Sequence, residues 1–196
     1  MVAAPAAADR LIALIFGPPG SGKGTQAARI EQEFGLTHLS TGDILRAEAK
    51  RGGELGREAA KMARGELVPD DLVDRIVESR LRQEGAGDVL LDGFPRTLEQ
   101  ARVLDTILES EGRAVELVLA LEVPEEELVR RLLHRAEVEN RVDDTPEAIG
   151  ERLEEYRELT MPVLDHYRGL GVRVEEIDAH GTVDDVAARI TKALKR

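Results

Sequence analysis

The sequence predicts a three-layer α/β/α fold around a central parallel sheet. Three observations carry that expectation: short apolar runs stopped by glycine, proline or a polar residue, amphipathic helical stretches alternating with them, and a length of 196 residues that suits one core. The first run, Leu11–Phe16, lacks polar alternation and stops at Gly17-Pro18, as a strand buried on both faces would. A helix over Thr25–Phe34 follows. Residues 40–68 then break the alternation: Asp43–Arg51 and Arg57–Arg64 read as helices broken at Gly52-Gly53 and closed at Gly65, with no strand of their own. Asp70–Gln83 puts Leu72, Val73, Ile76, Val77 and Leu81 on one helical face. Val89–Leu91 and Val115–Leu121 are further strands, with a helix over Leu98–Glu109 between them, and Val172–Ile177 is a fourth candidate. A second irregular segment, the polar stretch His134–Asp144, lies between two helices. Thr145-Pro146-Glu147 restarts a helix as N-cap, first-turn proline and first-turn acid. Pro162 predicts a kink or break just before it, and Met1–Asp9 reads as a frayed tail.

Composition narrows the function. With 27 Lys and Arg against 39 Asp and Glu, the net charge is −12, which excludes a protein that grips nucleic acid by general electrostatics. Three Phe, two Tyr and no Trp offer little for stacking on bases. The chain has no cysteine, so disulfides, iron–sulfur clusters and thiolate zinc sites are excluded, and a reducing compartment fits. His38, His134, His166 and His180 show no metal-ligand spacing. The apolar run at the N-terminus is too short for a signal peptide or a membrane span. The expectation is a cytoplasmic protein without membrane or nucleic-acid partners, whose phosphate-bearing ligands are small and held locally.

After the first strand comes Gly17-Pro18-Pro19-Gly20-Ser21-Gly22-Lys23-Gly24-Thr25, and then a helix. A turn that wraps phosphate in backbone N–H groups cannot carry side chains where it bends, hence the glycines. Lys23 supplies a point charge for β- and γ-phosphates, and the next helix offers its N-terminus. Gly24 stands where the pattern usually has Ser or Thr, the hydroxyl arriving one residue later as Thr25. Asp92 ends the strand Val89–Leu91, at the carboxyl edge where parallel sheets bind ligands. A carboxylate there holds Mg²⁺ directly or through water, or simply serves a turn.

Ser40-Thr41-Gly42-Asp43-Ile44-Leu45-Arg46 and Asp92-Gly93-Phe94-Pro95-Arg96-Thr97, taken with the phosphate loop, resemble the adenylate kinase family of nucleoside monophosphate kinases. The resemblance covers essentially the whole chain after Arg10, and Asp-Gly-Phe-Pro-Arg is far more specific than the loop alone. It implies a P-loop NTPase-type single domain over 1–196: a core of 10–39, 69–133 and 145–196, a monophosphate-binding flap of 40–68 and a short lid of 134–144. It implies ATP at Gly20, Ser21, Gly22, Lys23, Gly24, Thr25, Arg131, Arg135 and Gly181, the last bringing a backbone carbonyl near the ATP adenine. AMP would lie among Thr41, Arg46, the backbone around Glu66, Leu67 and Val68, then Gly93, Phe94, Pro95 and Arg96, with Gln100 reading the adenine edge. Arg141 and Arg152 would bridge both substrates' phosphates. Catalysis would fall to Lys23, Arg96, Arg135, Arg141 and Arg152, with Mg²⁺ near Asp92, held through water.

Local alternatives stand beside these roles. Thr97 and Gln100 also spell a Thr-x-x-Gln capping box, and Arg131 and Arg135 share a helix face with Glu127, as an exposed ion-pair stripe would. The resemblance further implies reversible transfer of the γ-phosphoryl group of MgATP to AMP, giving two ADP, by a monomer. Only some six residues separate Arg135 from Arg141-Val142-Asp143-Asp144, so the lid is the short form without a structural zinc site. Two rivals are a UMP/CMP kinase, disfavoured by Thr41, Thr97 and Gln100, and a non-catalytic nucleotide switch, for which the arginine set has no use.

Overall fold

The computed structural model describes residues 11–53, 56, 57, 59, 70–84, 87–139 and 145–195. Five strands form one parallel sheet: β1 (Ile12–Phe16), β2 (Thr37–Ser40), β3 (Val89–Asp92), β4 (Leu117–Glu122) and β5 (Arg173–Asp178), in the order β2-β3-β1-β4-β5. Side chains alternate across it. Ile12, Leu14 and Phe16 join Val89, Leu91, Val118 and Ala120 under one layer of helices, while Ala13 and Ile15 join Leu90, Leu117, Leu119 and Leu121 under the other. The first layer holds α3 (Asp70–Glu84), α4 (Leu98–Ser110) and α7 (Met161–Gly169); the second holds α1 (Lys23–Phe34) and α8 (Val183–Leu194). This is the three-layer arrangement of a P-loop NTPase-type fold.

The expected strands appear with their ends shifted by one or two residues, and one was not expected. β2, Thr-His-Leu-Ser, is an edge strand with only Leu39 fully buried, so it has no apolar run to announce it. Its register sets Ser40 opposite Asp92, and β1 sets Ile15 opposite Asp92 from the other side. The loops after β1, β2 and β3 therefore leave the sheet level with one another at its carboxyl edge.

Two helical units attach to this core. α2 (Thr41–Arg51) packs on α3 through a small cluster of Leu45, Ala59, Leu72 and Ile76, separate from the two main ones. α5 (Glu125–Glu139) and α6 (Pro146–Glu155) share a second one, Leu128, Leu132, Ile149 and Leu153. The polar stretch expected from His134 is helical as far as Glu139, because Arg135-Ala136-Glu137 are strong helix formers that carry α5 onward. Thr145 caps α6, its hydroxyl accepting from the Ala148 N–H at 3.2 Å, with Pro146 in the first turn. Before Pro162 the helix widens to a π turn over Tyr156–Thr160, where the Met161 N–H reaches the Tyr156 carbonyl. That is how the chain absorbs the N–H that Pro162 lacks. The tail, most of the Arg57–Arg64 piece, and the site candidates Glu66, Leu67, Val68 and Arg141 lie outside the described residues.

Candidate active site

The loop after β1 turns directly into α1, whose first residue is Lys23. Gly20, at φ +83°, is seated against α5: a Cβ there would lie 3.0 Å from Leu132 Cγ and 3.1 Å from the Leu128 carbonyl oxygen. The loop is thus held by the helix that carries Arg131 and Arg135. Ser21 is buried, its N–H donating to the Pro18 carbonyl at 3.1 Å, and Gly24 and Thr25 are exposed on the first turn of α1. The Lys23 ammonium donates to the carbonyls of Gly17 at 2.5 Å and Pro18 at 3.1 Å. Desolvation pushes it from the usual 10.5 down to about 8; Asp92 works against that shift, and Arg96 and Arg135 add to it. Four residues singled out in the sequence thus share one electrostatic field at the carboxyl edge of the sheet.

The neighbouring loops build the other half. The Ser40 hydroxyl caps α2 by accepting from the Asp43 N–H at 3.3 Å, and the buried Thr41 hydroxyl donates to the Asp92 carbonyl at 3.3 Å. Arg46 pairs with Asp43 at 2.6 Å, and that hydrogen bond is the main reason the Asp43 carboxyl titrates below the usual range. Phe94 and Pro95 are buried and joined by a cis peptide bond, and Arg96, next in the chain, is exposed. The Arg96 side chain donates from Nε to the Gly93 carbonyl at 3.0 Å, and its own carbonyl accepts from the Thr160 hydroxyl at 3.0 Å. Gln100 does take part in capping α4: its N–H donates to Thr97 Oγ1 at 3.2 Å, while its Oε1 accepts from the Arg96 N–H at 2.7 Å, one residue earlier than a standard box. The capping role and a place beside Arg96 coexist.

Arg131 makes the ion pair of its local reading and also reaches the loop that carries Gly181. Its Nε donates to Glu127 at 2.7 Å, the ion pair of an exposed stripe, and its Nη2 donates to the Ala179 carbonyl at 3.2 Å, on the loop that carries Gly181. Arg135 lies one turn further along α5, and Arg152 is half-buried on α6.

Asp92 is nearly buried and faces His38, Nε2 to Oδ2 3.3 Å, with both side chains 12 % exposed. Among the described residues no group of three or more His, Cys, Asp or Glu could hold a metal by itself. A lone carboxylate suits Mg²⁺ that is ligated mainly by phosphate and water. His38 and Thr160 are the site neighbours that the sequence did not reveal. His38 sits on an edge strand without periodicity, and Thr160 reaches Arg96 across 64 residues; neither carries a local signal.

The profile of the family described as adenylate kinase matches residues 15–172. An adenylate kinase of Thermus thermophilus is 52% identical over 184 residues, covering 93% of this chain and 96% of that protein. One from a Synechococcus species is 52% identical over 182 residues, 92% of this chain and 97% of its own length. One from Kocuria rhizophila is 48% identical over 185 residues, 93% and 98% of the two chains. With the phosphate loop and the Asp-Gly-Phe-Pro-Arg turn at the carboxyl edge of a 2-3-1-4-5 sheet, and with the family's profile matching most of its length, the chain belongs to the adenylate kinase family, the enzymes that reversibly convert ATP and AMP into two ADP.

Proposed function

We propose that this cleft transfers the γ-phosphoryl group of MgATP to AMP through its own cations, with no catalytic base. The observation that carries the reading is the shared field of Lys23, Asp92, Arg96 and Arg135 where three loops leave the sheet together. Phosphoryl transfer asks a protein mainly for positioning and charge stabilisation. The phosphate of AMP, with a second pKa of about 6 by analogy with phosphorylated side chains, is mostly a dianion at neutral pH and is already nucleophilic.

Gly20 to Thr25 would wrap the donor phosphates, with Lys23 on the β- and γ-groups. Thr41, Arg46, Glu66, Leu67, Val68, Gly93 to Arg96 and Gln100 would hold AMP. Arg131, Arg135, Arg141 and Arg152 would gather the charge that spreads over the transferring group. Asp92 would hold Mg²⁺ through a water, the metal neutralising charge on the β- and γ-phosphates. Water is a competing acceptor, so closure belongs to the mechanism. The separate small cluster to which Leu45 and Ala59 belong supports a flap over 40–68 that moves as a unit, and a short lid over 134–144 would close the donor side.

The reading extends to a cytoplasmic monomer. Absence of cysteine suits a reducing compartment, and among the described residues no helix is long and apolar enough to cross a membrane. The test is a coupled assay of the purified chain with MgATP and AMP, UMP or CMP in turn. ADP formation that depends on AMP is expected. No such ADP overturns the reading, and faster turnover with UMP reassigns the acceptor.

A further inference from the structure

Asp178 to Thr182 joins β5 to α8 at the same edge of the sheet as the phosphate loop. Arg189, two turns into α8, reaches back with a single nitrogen, Nη1, to the carbonyls of Asp178 and His180, each at 2.7 Å. Arg131 takes the carbonyl between them, that of Ala179, from the opposite side at 3.2 Å. The Ala179 N–H donates to the Glu122 carbonyl at 2.8 Å, and the His180 N–H closes onto Asp178 Oδ1 at 2.9 Å. At the far end the Thr182 N–H and hydroxyl both donate to Asp185, and the Thr182 carbonyl accepts from the Val186 N–H. Among the described residues, this leaves the Gly181 carbonyl as the one carbonyl of the loop with no protein donor. Gly181 stands at φ +115°, a conformation that favours glycine, and a Cβ there would lie 3.2 Å from Asp185 Oδ2.

We propose that Arg189 is a positioning residue for recognition of the donor base: by engaging the carbonyls of Asp178 and His180, it fixes the turn that leads into Gly181 and keeps the Gly181 carbonyl aimed at the 6-amino group of ATP. The inference rests on the reading that puts the ATP adenine at Gly181. A carbonyl accepts from a 6-amino group, gains nothing from a 6-hydrogen and repels a 6-oxo group. That selectivity lasts only while the peptide cannot rotate and offer its N–H instead. Nothing on Gly181 itself prevents such rotation, because a residue without Cβ moves easily between conformations. The restraint is supplied from outside on both flanks: Asp185 holds the Thr182 N–H that follows, and Arg189 donates charge-assisted hydrogen bonds to the Asp178 and His180 carbonyls that precede it. Asp178 Oδ2, 3.7 Å from Arg189 Nη1, keeps the guanidinium over the turn.

The experiment compares full-length wild type, Arg189→Met and Arg189→Lys. It measures kcat and KM for ATP and for purine riboside 5′-triphosphate, which has hydrogen at position 6, together with KM for AMP and Tm. Wild type is expected to prefer ATP. Arg189→Met keeps the stem without the donors, and should cut that preference about fivefold and raise KM for ATP, with KM for AMP unchanged. Arg189→Lys should recover most of the preference, since one ammonium can donate to both carbonyls. A Met variant that keeps the wild-type preference, whatever its Tm, overturns the role of Arg189 and leaves the adenine reading standing. A wild type indifferent to the 6-amino group overturns both.

Discussion

The two halves of the proposed cleft, one for the donor and one for the acceptor, hold their cations in different ways. On the donor side Lys23 and Arg131 donate to main-chain carbonyls of the loops they serve: Gly17 and Pro18 for the lysine, Ala179, 48 residues away in sequence, for the arginine. On the acceptor side Arg46 pairs with Asp43 and Arg96 with the Gly93 carbonyl, each three residues away and exposed. The fold fixes the first set before any ligand arrives. The second is held by local contacts of the kind worth about 0.3–0.5 kcal/mol, which a phosphate replaces easily. On that proposed assignment the donor half is set before binding, and the acceptor half is expected to reorganise.

The largest effect should come from the donor half. Lys23→Met is expected to lower kcat by about 10³-fold, as loss of a preorganised charge at the reacting phosphate does, while the fold stays as stable or becomes more so because a desolvated ammonium has been removed. Steady-state rates with a thermal melt check both parts; a marked fall in Tm would show that Lys23 holds the loop together rather than waiting in it. Next comes Arg96→Ala, expected to lower kcat/KM for AMP about 10²-fold through a lost charge-assisted phosphate contact, with little change in KM for ATP. Equal damage to both KM values would erase the division between the halves.

How much of this was legible in the sequence follows the same division. The donor loop is contiguous, so Gly20, Ser21, Gly22 and Lys23 announce themselves, and the apolar runs of β1, β3 and β4 give the buried centre of the sheet. β2 escaped because an edge strand needs only one buried side chain, Leu39. The polar residues after His134 read as a loop, yet α5 runs on to Glu139, because Arg135, Ala136 and Glu137 all suit a helix. His38 and Thr160 could not be read at all: their partners, Asp92 and Arg96, are adjacent only after the strands pair and the π turn folds back. Contacts made by register leave no trace in local pattern.

A pH profile tests preorganisation without a mutation. Free-enzyme Lys23 is charged below about 8 and loses its proton above that, well before an unfolded lysine near 10.5. On the proposal that Lys23 meets the donor phosphates as an ammonium, kcat/KM for ATP should fall by up to about tenfold per pH unit above 8, and ATP binding near pH 8 should take up a proton, visible by calorimetry in buffers of different ionisation heat. Stability moves the other way. Between about 8 and 10.5 the unfolded chain holds the extra proton, so the cost of burying the ammonium is relieved as pH rises through that window. Donor affinity that stays level up to about pH 10 would mean that Lys23 is solvated in the free enzyme and the donor half is not preformed.

The smallest effect separates holding from waiting on the acceptor side. Asp43→Asn removes the charge that keeps Arg46 at 2.6 Å. If that pair only parks the arginine, freeing it should lower KM for AMP about twofold, the scale of an exposed ion pair. KM for ATP should not change, because no donor-side residue touches Asp43 through a described hydrogen bond. The same substitution removes the acid from the first turn of α2 and should cost about 0.3–1 kcal/mol of stability, read from the melt. A KM for AMP that rises instead would show that Asp43 aims Arg46 at the phosphate. The acceptor half would then be organised before binding as well, and the contrast between the two sides would reduce to one of exposure.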